Sequence, residues 1–186
     1  VRVWDVESGE CLHTLRGHKG AVKALAVLGD GKWLASGSYD KTVRVWNVES
    51  GECVKTLTGH RWAVTSLAFI GDGKWVASGS SDKTVRVWNV ESGECLHTLT
   101  GHMWTVTSLA VLGDGKWLAS GSVDNTVRVW DVESGECMLT LRHEGEVSSL
   151  AVLGDGRWLA SASGDKTVRV WDVESGEFVK RLLHER

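Results

Sequence analysis

The sequence predicts an all-β chain made of repeated four-stranded antiparallel units, and three observations carry that prediction. A block Ser-Gly-Ser-X-Asp-Lys-Thr-Val-Arg-Val-Trp-Asn stands at Ser36–Asn47 and Ser78–Asn89, with close variants at Ser120–Asp131 and Ser161–Asp172. Its last part also opens the chain at Val1–Asp5. Within the block, valines and a tryptophan alternate with polar residues, the period-2 pattern of a half-buried strand. The block returns every 42 residues or so, a fixed period that signals stacked repeat units.

Each element follows from the residues in order. Taking Val1, Val43, Val85, Val127 and Val168 as repeat starts, every unit opens on a Val-Arg-Val-Trp-Asp/Asn strand. Val-Glu-Ser-Gly-Glu then makes a turn, in which the glycine is free to take positive φ. A second strand, such as Cys53–Leu57, runs up to Gly-His. The third, such as Val64–Ile70, is rich in β-branched and aliphatic residues. Gly71–Lys74 (Gly-Asp-Gly-Lys) is a hairpin turn signal, and Trp75–Ser80 supplies the fourth strand.

Composition narrows the function classes. The chain has 186 residues and a formal charge of −3, enough length for a substantial core and no basic excess that would point to nucleic acid. No apolar run approaches the roughly 20 residues needed to cross a bilayer, so no membrane partner is expected. The sequence opens mid-pattern at Val1, without a methionine or secretory signal, as a fragment or processed chain would. Its 11 tryptophans recur at repeat positions and are therefore assigned to packing. Cys11, Cys53, Cys95 and Cys137 share one repeat position, which Phe178 holds in the last copy. A site that accepts Phe is expected to be apolar packing, where a free thiol behaves as a small hydrophobe. Zinc needs ligands at short spacing, and none are so arranged; no metal or cofactor is expected. Unpaired thiols point to a reducing compartment, cytoplasmic or nuclear.

Gly59-His60, Ser78, Asp82 and the closing Trp88-Asn89 resemble the WD40 repeat family of β-propellers, as do Trp4-Asp5, Trp130-Asp131 and Trp171-Asp172. The resemblance covers essentially the whole chain. It implies four-stranded blades set around a central channel. On that pattern the chain is a WD40-type propeller segment: an N-terminal half blade over residues 1–15, then four complete blades over 21–57, 63–99, 105–141 and 146–182. The resemblance also implies a buried structural network in each blade. Its members are His18, Ser36, Asp40 and Trp46; His60, Ser78, Asp82 and Trp88; His102, Ser120, Asp124 and Trp130; and His143, Ser161, Asp165 and Trp171. In such a network Asp accepts from the His ring, His reaches the Ser hydroxyl, and Ser accepts from the Trp indole. The fourth blade departs from the pattern, because Arg142-His143 replaces Gly-His; the loop before it must be rebuilt.

A Ser, His, Asp set invites a hydrolase reading. Nucleophilic catalysis needs an exposed serine beside an oxyanion hole, whereas here the set recurs in every repeat with Ser inside a strand. No catalytic residue is assigned. The Gly-Asp-Gly-Lys turns lack the strand–loop–helix context of a phosphate loop.

Comparing the repeats with one another shows where the chain varies. Differences gather after the histidine, at Lys19-Gly20-Ala21, Arg61-Trp62-Ala63, Met103-Trp104-Thr105 and Glu144-Gly145-Glu146, and again at Tyr39, Ser81, Val123 and Gly164. By the WD40 pattern both groups lie on the top face, where family members commonly bind partners. Lys19, Tyr39, Arg61, Trp62, Met103, Trp104, Glu144 and Glu146 are the candidate partner-binding residues, and Trp, Arg and Met are types enriched at interface centres. The competing reading has Trp62 and Trp104 packing against neighbouring loops. His13 and His97, which alternate with Lys55, are expected to be solvated surface.

The expected function is a non-catalytic scaffold that presents a preorganised top face to a protein or peptide. The alternative is a purely structural repeat module, recently amplified or designed, with no cognate ligand. Blades of this type suit larger rings, so a homodimer closing a ring of about eight blades is expected, each chain burying its end flanks on the other. Val1–Glu10 is identical to Val168–Glu177. The N-terminal hairpin therefore either joins the last blade of a partner chain or sits as an incomplete extra blade.

Overall fold

The computed structural model describes residues 1–28 and 30–183; Gly29, in the first Gly-Asp-Gly-Lys turn, lies outside the described residues. The chain opens with β1 (Arg2–Trp4) and β2 (Cys11–Thr14), an isolated two-stranded sheet. Four sheets of four antiparallel strands follow. The first blade is β3 (Val22–Val27), β4 (Trp33–Ser38), β5 (Thr42–Asn47) and β6 (Cys53–Thr58). The second is β7 (Val64–Ile70), β8 (Trp75–Ser80), β9 (Val85–Asn89) and β10 (Cys95–Leu99). The third is β11 (Val106–Leu112), β12 (Trp117–Ser122), β13 (Thr126–Asp131) and β14 (Cys137–Arg142), with one 3-10 turn at Gly113–Gly115. The fourth is β15 (Val147–Leu153), β16 (Trp158–Ser163), β17 (Thr167–Asp172) and β18 (Phe178–Leu183). Within each blade the strands pair in sequence order, and this is the all-β architecture that the repeat grammar predicts.

Period-2 alternation on the third strand of each blade builds the seams between blades. Val43 and Val45 point toward the second blade and join Leu57, Val64, Leu67, Val76 and Trp88 in one buried cluster. The same arrangement recurs between the second and third blades, and between the third and fourth. Trp46 points the other way and packs with Leu15 and Leu34 against Val1 and Val3 of the half blade. Inner strands meet closely because the next-to-last position of the second strand is glycine: a Cβ on Gly37 would lie 2.5 Å from Val64 Cγ1, and one on Gly79 2.6 Å from Val106 Cγ1. The fourth blade carries Ala162 at that position.

Two expectations are corrected here. The four cysteines are exposed, not buried. They stand on the outermost strands, which have a neighbour on one side only, so their side chains reach the rim beside the closing tryptophan; Phe178 sits half-exposed there, edge-on to Trp171 at 5.6 Å. Each thiol faces its backbone, with Cys95 Sγ 3.2 Å from the His97 carbonyl. His13 and His97 are not merely solvated. Each ring crosses to the next blade, His13 Nε2 lying 2.9 Å from the Glu49 carbonyl and His97 Nε2 3.1 Å from that of Glu133. They rest on the turn glycines Gly51 and Gly135, where a Cβ would come within 2.8 Å of the imidazole.

Candidate functional site

The loops at the top of each blade are held by one hydrogen-bonded set. In the second blade, His60 Nδ1 donates to Asp82 Oδ2 at 2.8 Å, since a carboxylate only accepts. Nε2 is then left to accept from Ser78 Oγ at 2.8 Å, and Ser78 Oγ accepts from Trp88 Nε1 at 2.8 Å. The same three contacts join His18, Ser36, Asp40 and Trp46. They recur for His102, Ser120, Asp124 and Trp130, and for His143, Ser161, Asp165 and Trp171. Sequence reasoning missed one member. Thr84 donates both its hydroxyl and its amide to Asp82 Oδ1, at 2.6 and 3.0 Å, while the Arg61 amide donates to Oδ2 at 2.9 Å. Thr42, Thr126 and Thr167 repeat that clamp, and the only sequence signal for it is their fixed place two residues after each aspartate.

Electrostatics follow from this geometry. Burial on its own would raise the carboxyls of Asp40, Asp82, Asp124 and Asp165, but the threonine, histidine and backbone donors outweigh it and hold all four below the usual carboxylate range. Burial lowers His102 and His143, with their aspartates only partly opposing it, so both rings are neutral at pH 7. Each serine oxygen is fully buried between imidazole and indole. The set fixes the loop after the histidine to the turn around the aspartate. In the fourth blade, Arg169 completes the loop that lacks its glycine: Nη1 donates to the Arg142 carbonyl at 2.8 Å.

The sequence profile of the family described as WD domain, G-beta repeat matches residues 9–47, 51–89, 93–131 and 135–172. The chain belongs to the WD40 repeat family. Its similarity to curated proteins is local. It is 49% identical over 43 residues to the Periodic tryptophan protein 2 homolog of Schizosaccharomyces pombe. It is 44% identical over 43 residues to Mitochondrial division protein 1 of Neurospora crassa. Each match takes in 23% of this chain, and 5% and 6% of those proteins. WD40 repeats generally serve as non-catalytic scaffolds for protein interaction.

On the edge of the WD40 blades that carries the histidine loops, the repeats present different side chains. Trp62 and Trp104 are 64% and 60% exposed, and Tyr39 and Met103 are exposed beside them. Lys19, Arg61, Glu144 and Glu146 are exposed as well. Each indole meets a lysine from the neighbouring turn of the preceding blade. Lys41 Nζ lies 5.5 Å from the Trp62 ring centre and Lys83 Nζ 5.2 Å from that of Trp104. Both lysines hold left-handed φ, 71° and 72°, a strained choice for a non-glycine residue. The third blade has Asn125 at this turn, and the loop facing it has Gly145 in place of tryptophan. The carboxylates of Asp40 and Asp82 are turned inward to their donors, so the outward charges over the first two blades are Lys19, Lys23, Lys41, Arg61 and Lys83.

Proposed function

We propose that the chain is a non-catalytic interaction scaffold whose top face, centred on Trp62 and Trp104, docks a protein or peptide. The observation that carries this reading is the pair of exposed indoles held in place by Lys41 and Lys83 on loops that the buried networks make rigid. Preorganised aromatic surface loses little entropy on binding. The buried serines leave no accessible nucleophile in the four Ser-His-Asp sets, which supports a non-catalytic role. For a partner recovered by pull-down, Arg61→Glu with Trp104→Ala is expected to weaken binding by about 2 kcal/mol or more, the scale of interface hot spots. Calorimetric titration checks it. Affinity left intact by that pair but abolished by Glu52→Lys with Glu94→Lys on the opposite face would assign the wrong face.

The same proposal includes a homodimer in which two copies of the segment close a ring of about eight blades. It is supported by end flanks whose apolar positions are uncovered. Leu25 is 54% exposed, whereas its equivalents Leu67 and Leu109 are 8% and 9% exposed against a preceding blade. At the other end Leu182 is 46% exposed, while Leu57, Leu99 and Leu141 are 1%, 4% and 5% exposed against a following one. At the junction Val22 of one copy meets Ala162 of the other, where seams within the chain set valine on glycine. The extra methyl spaces this seam more widely, so Ala162→Gly is expected to tighten the dimer. Light scattering at micromolar concentration should give twice the chain mass. A monomer mass for both the parent and Ala162→Gly would remove the dimer.

A further inference from the structure

We infer that the occupant of the top face is an acidic peptide, whose carboxylates meet Lys41, Arg61 and Lys83 while adjoining apolar side chains rest on Trp62 and Trp104. This rests on the top-face reading proposed above and adds the chemistry of the partner. Charge placement is the first observation. The residue after each network histidine is Lys19, Arg61, Met103 and Glu144 in turn. Each root is fixed, because its amide donates to the turn aspartate of the same blade, at 2.8, 2.9, 2.8 and 3.2 Å. Sign therefore runs from positive over the first two blades, through neutral, to negative over the fourth. The residue after the turn aspartate repeats the trend as Lys41, Lys83 and Asn125; only Lys166 departs from it, on the blade that also carries Glu144 and Glu146.

These cations are not spent within the chain. Among the described residues, Lys19, Lys41, Arg61 and Lys83 join no ion pair. Asp40 and Asp82 carry their charges nearby, yet both oxygens of each are already taken by histidine, threonine and backbone donors. With Lys23 included, five cations stand over two blades against those two carboxylates. An incoming carboxylate meets donors there and an incoming ammonium meets like charge, a difference that sets specificity and association rate.

The second observation is what lies on the aromatic faces. A bare exposed indole attracts a ligand cation. Here that place is filled from inside the chain, by Lys41 on Trp62 at 5.5 Å and Lys83 on Trp104 at 5.2 Å. Tyr39 is treated alike, with Lys23 Nζ 5.2 Å from its ring centre. The turn aims each lysine: left-handed φ and an amide bond to the Ser38 or Ser80 carbonyl, at 3.1 and 3.2 Å, point it at the next blade. A lysine or arginine of a partner would have to displace that ammonium, whereas a carboxylate adds to it. Both indoles stay more than half exposed with the lysine in place, so apolar surface remains beside each cation. The matching ligand sets acidic residues next to apolar ones. A nucleic acid fits less well, since stacked bases need open aromatic faces and a charged backbone would run on towards Glu144 and Glu146.

Panning a random 12-residue peptide display library on the chain, followed by fluorescence anisotropy of the enriched peptides, tests the inference. Enriched sequences are expected to carry more Asp and Glu than Lys and Arg, with an apolar residue beside the acid. Lys41→Asn with Lys83→Asn installs the residue that the third blade already accepts as Asn125, so the turns survive. That pair should weaken the acidic peptides about 10-fold or more, and raising salt from about 50 to 500 mM should weaken them further. Neutral or basic peptides that lose binding with Arg61→Glu and Trp104→Ala overturn the acidic partner and leave the top face standing. Acidic peptides indifferent to Lys41→Asn with Lys83→Asn overturn it as well. A labelled oligo(dT) of 12 nucleotides that binds more tightly than every enriched peptide replaces the peptide with a nucleic acid. Peptides unaffected by Arg61→Glu with Trp104→Ala, or no enrichment at all, remove both readings.

Discussion

Replacing Trp88 with alanine will destabilise the chain by about 3–5 kcal/mol, the range for emptying a well-packed aromatic site. The ring is fully enclosed at the seam between the first two blades, among Val43, Val45, Leu57, Val64 and Val76. Cavity formation there strikes two blades at once. The substitution also leaves Ser78 Oγ without its indole donor at 2.8 Å and removes the edge that His60 meets at 6.1 Å. Trp88→Phe separates the two effects, since it keeps most of the volume and loses the donor; about 1–2 kcal/mol is expected, set by one hydrogen bond and a smaller ring. Trp104→Ala, on the exposed top face, should shift stability by less than about 1 kcal/mol, mainly through its lysine contact. Urea midpoints rank the three. An unchanged midpoint for Trp88→Ala would mean that this tryptophan does not hold the seam.

The ranking of those tryptophans shows what the sequence made legible. Four-stranded grammar was readable because the Val-Arg-Val-Trp strand alternates with a period of two, the other strands are rich in β-branched and apolar residues, and each turn carries its own glycine or aspartate signal. The buried sets were readable because the resemblance to WD40 repeats assigns His, Ser, Asp and Trp their places in each repeat, and hydrogen bonds join those residues. What escaped were contacts between repeats. The acceptor for His13 is a backbone carbonyl of Glu49, 36 residues away, and a carbonyl has no residue type to announce it. The cysteine position misled for a related reason. Tolerance of Phe reads as burial, yet on an edge strand a side chain can lie against one ring, as Phe178 does on Trp171, and still face water. The Lys41 and Lys83 contacts depend on left-handed backbone at the turn, which no residue type dictates when the residue is lysine. Thr84 was hidden because, in sequence, a threonine leading into a valine-rich strand reads as ordinary β-branched filler.

Acid will unfold the chain through the four buried sets, and the sign follows from their protonation. His102 and His143 have folded-state pKa values depressed by burial, so the unfolded chain takes up these protons first. Their contribution is complete above the unfolded value of about 6.5 and declines as pH falls below it. Asp40, Asp82, Asp124 and Asp165 are depressed by their hydrogen bonds. Their contribution is complete above an unfolded value of about 3.9 and is lost as pH drops through the folded ones. Both groups slope the same way. The urea midpoint should be flat from about pH 8 to 7, decline gently below about 6.5 and fall steeply below about 4. Asp82→Asn probes one set. Each Asp82 oxygen accepts two donors, His60 and the Arg61 amide on one, the Thr84 amide and hydroxyl on the other. An amide must therefore set its own donor against two others, whichever way it turns. A loss of about 3 kcal/mol at pH 7 is expected, the scale for breaking a buried charge-assisted pair. The steep acid limb should become shallower, because one of four titrating sets is gone. An Asp82→Asn chain with the parent's midpoint at pH 7 and the parent's acid slope would show that the carboxylate is not what fastens the top loops.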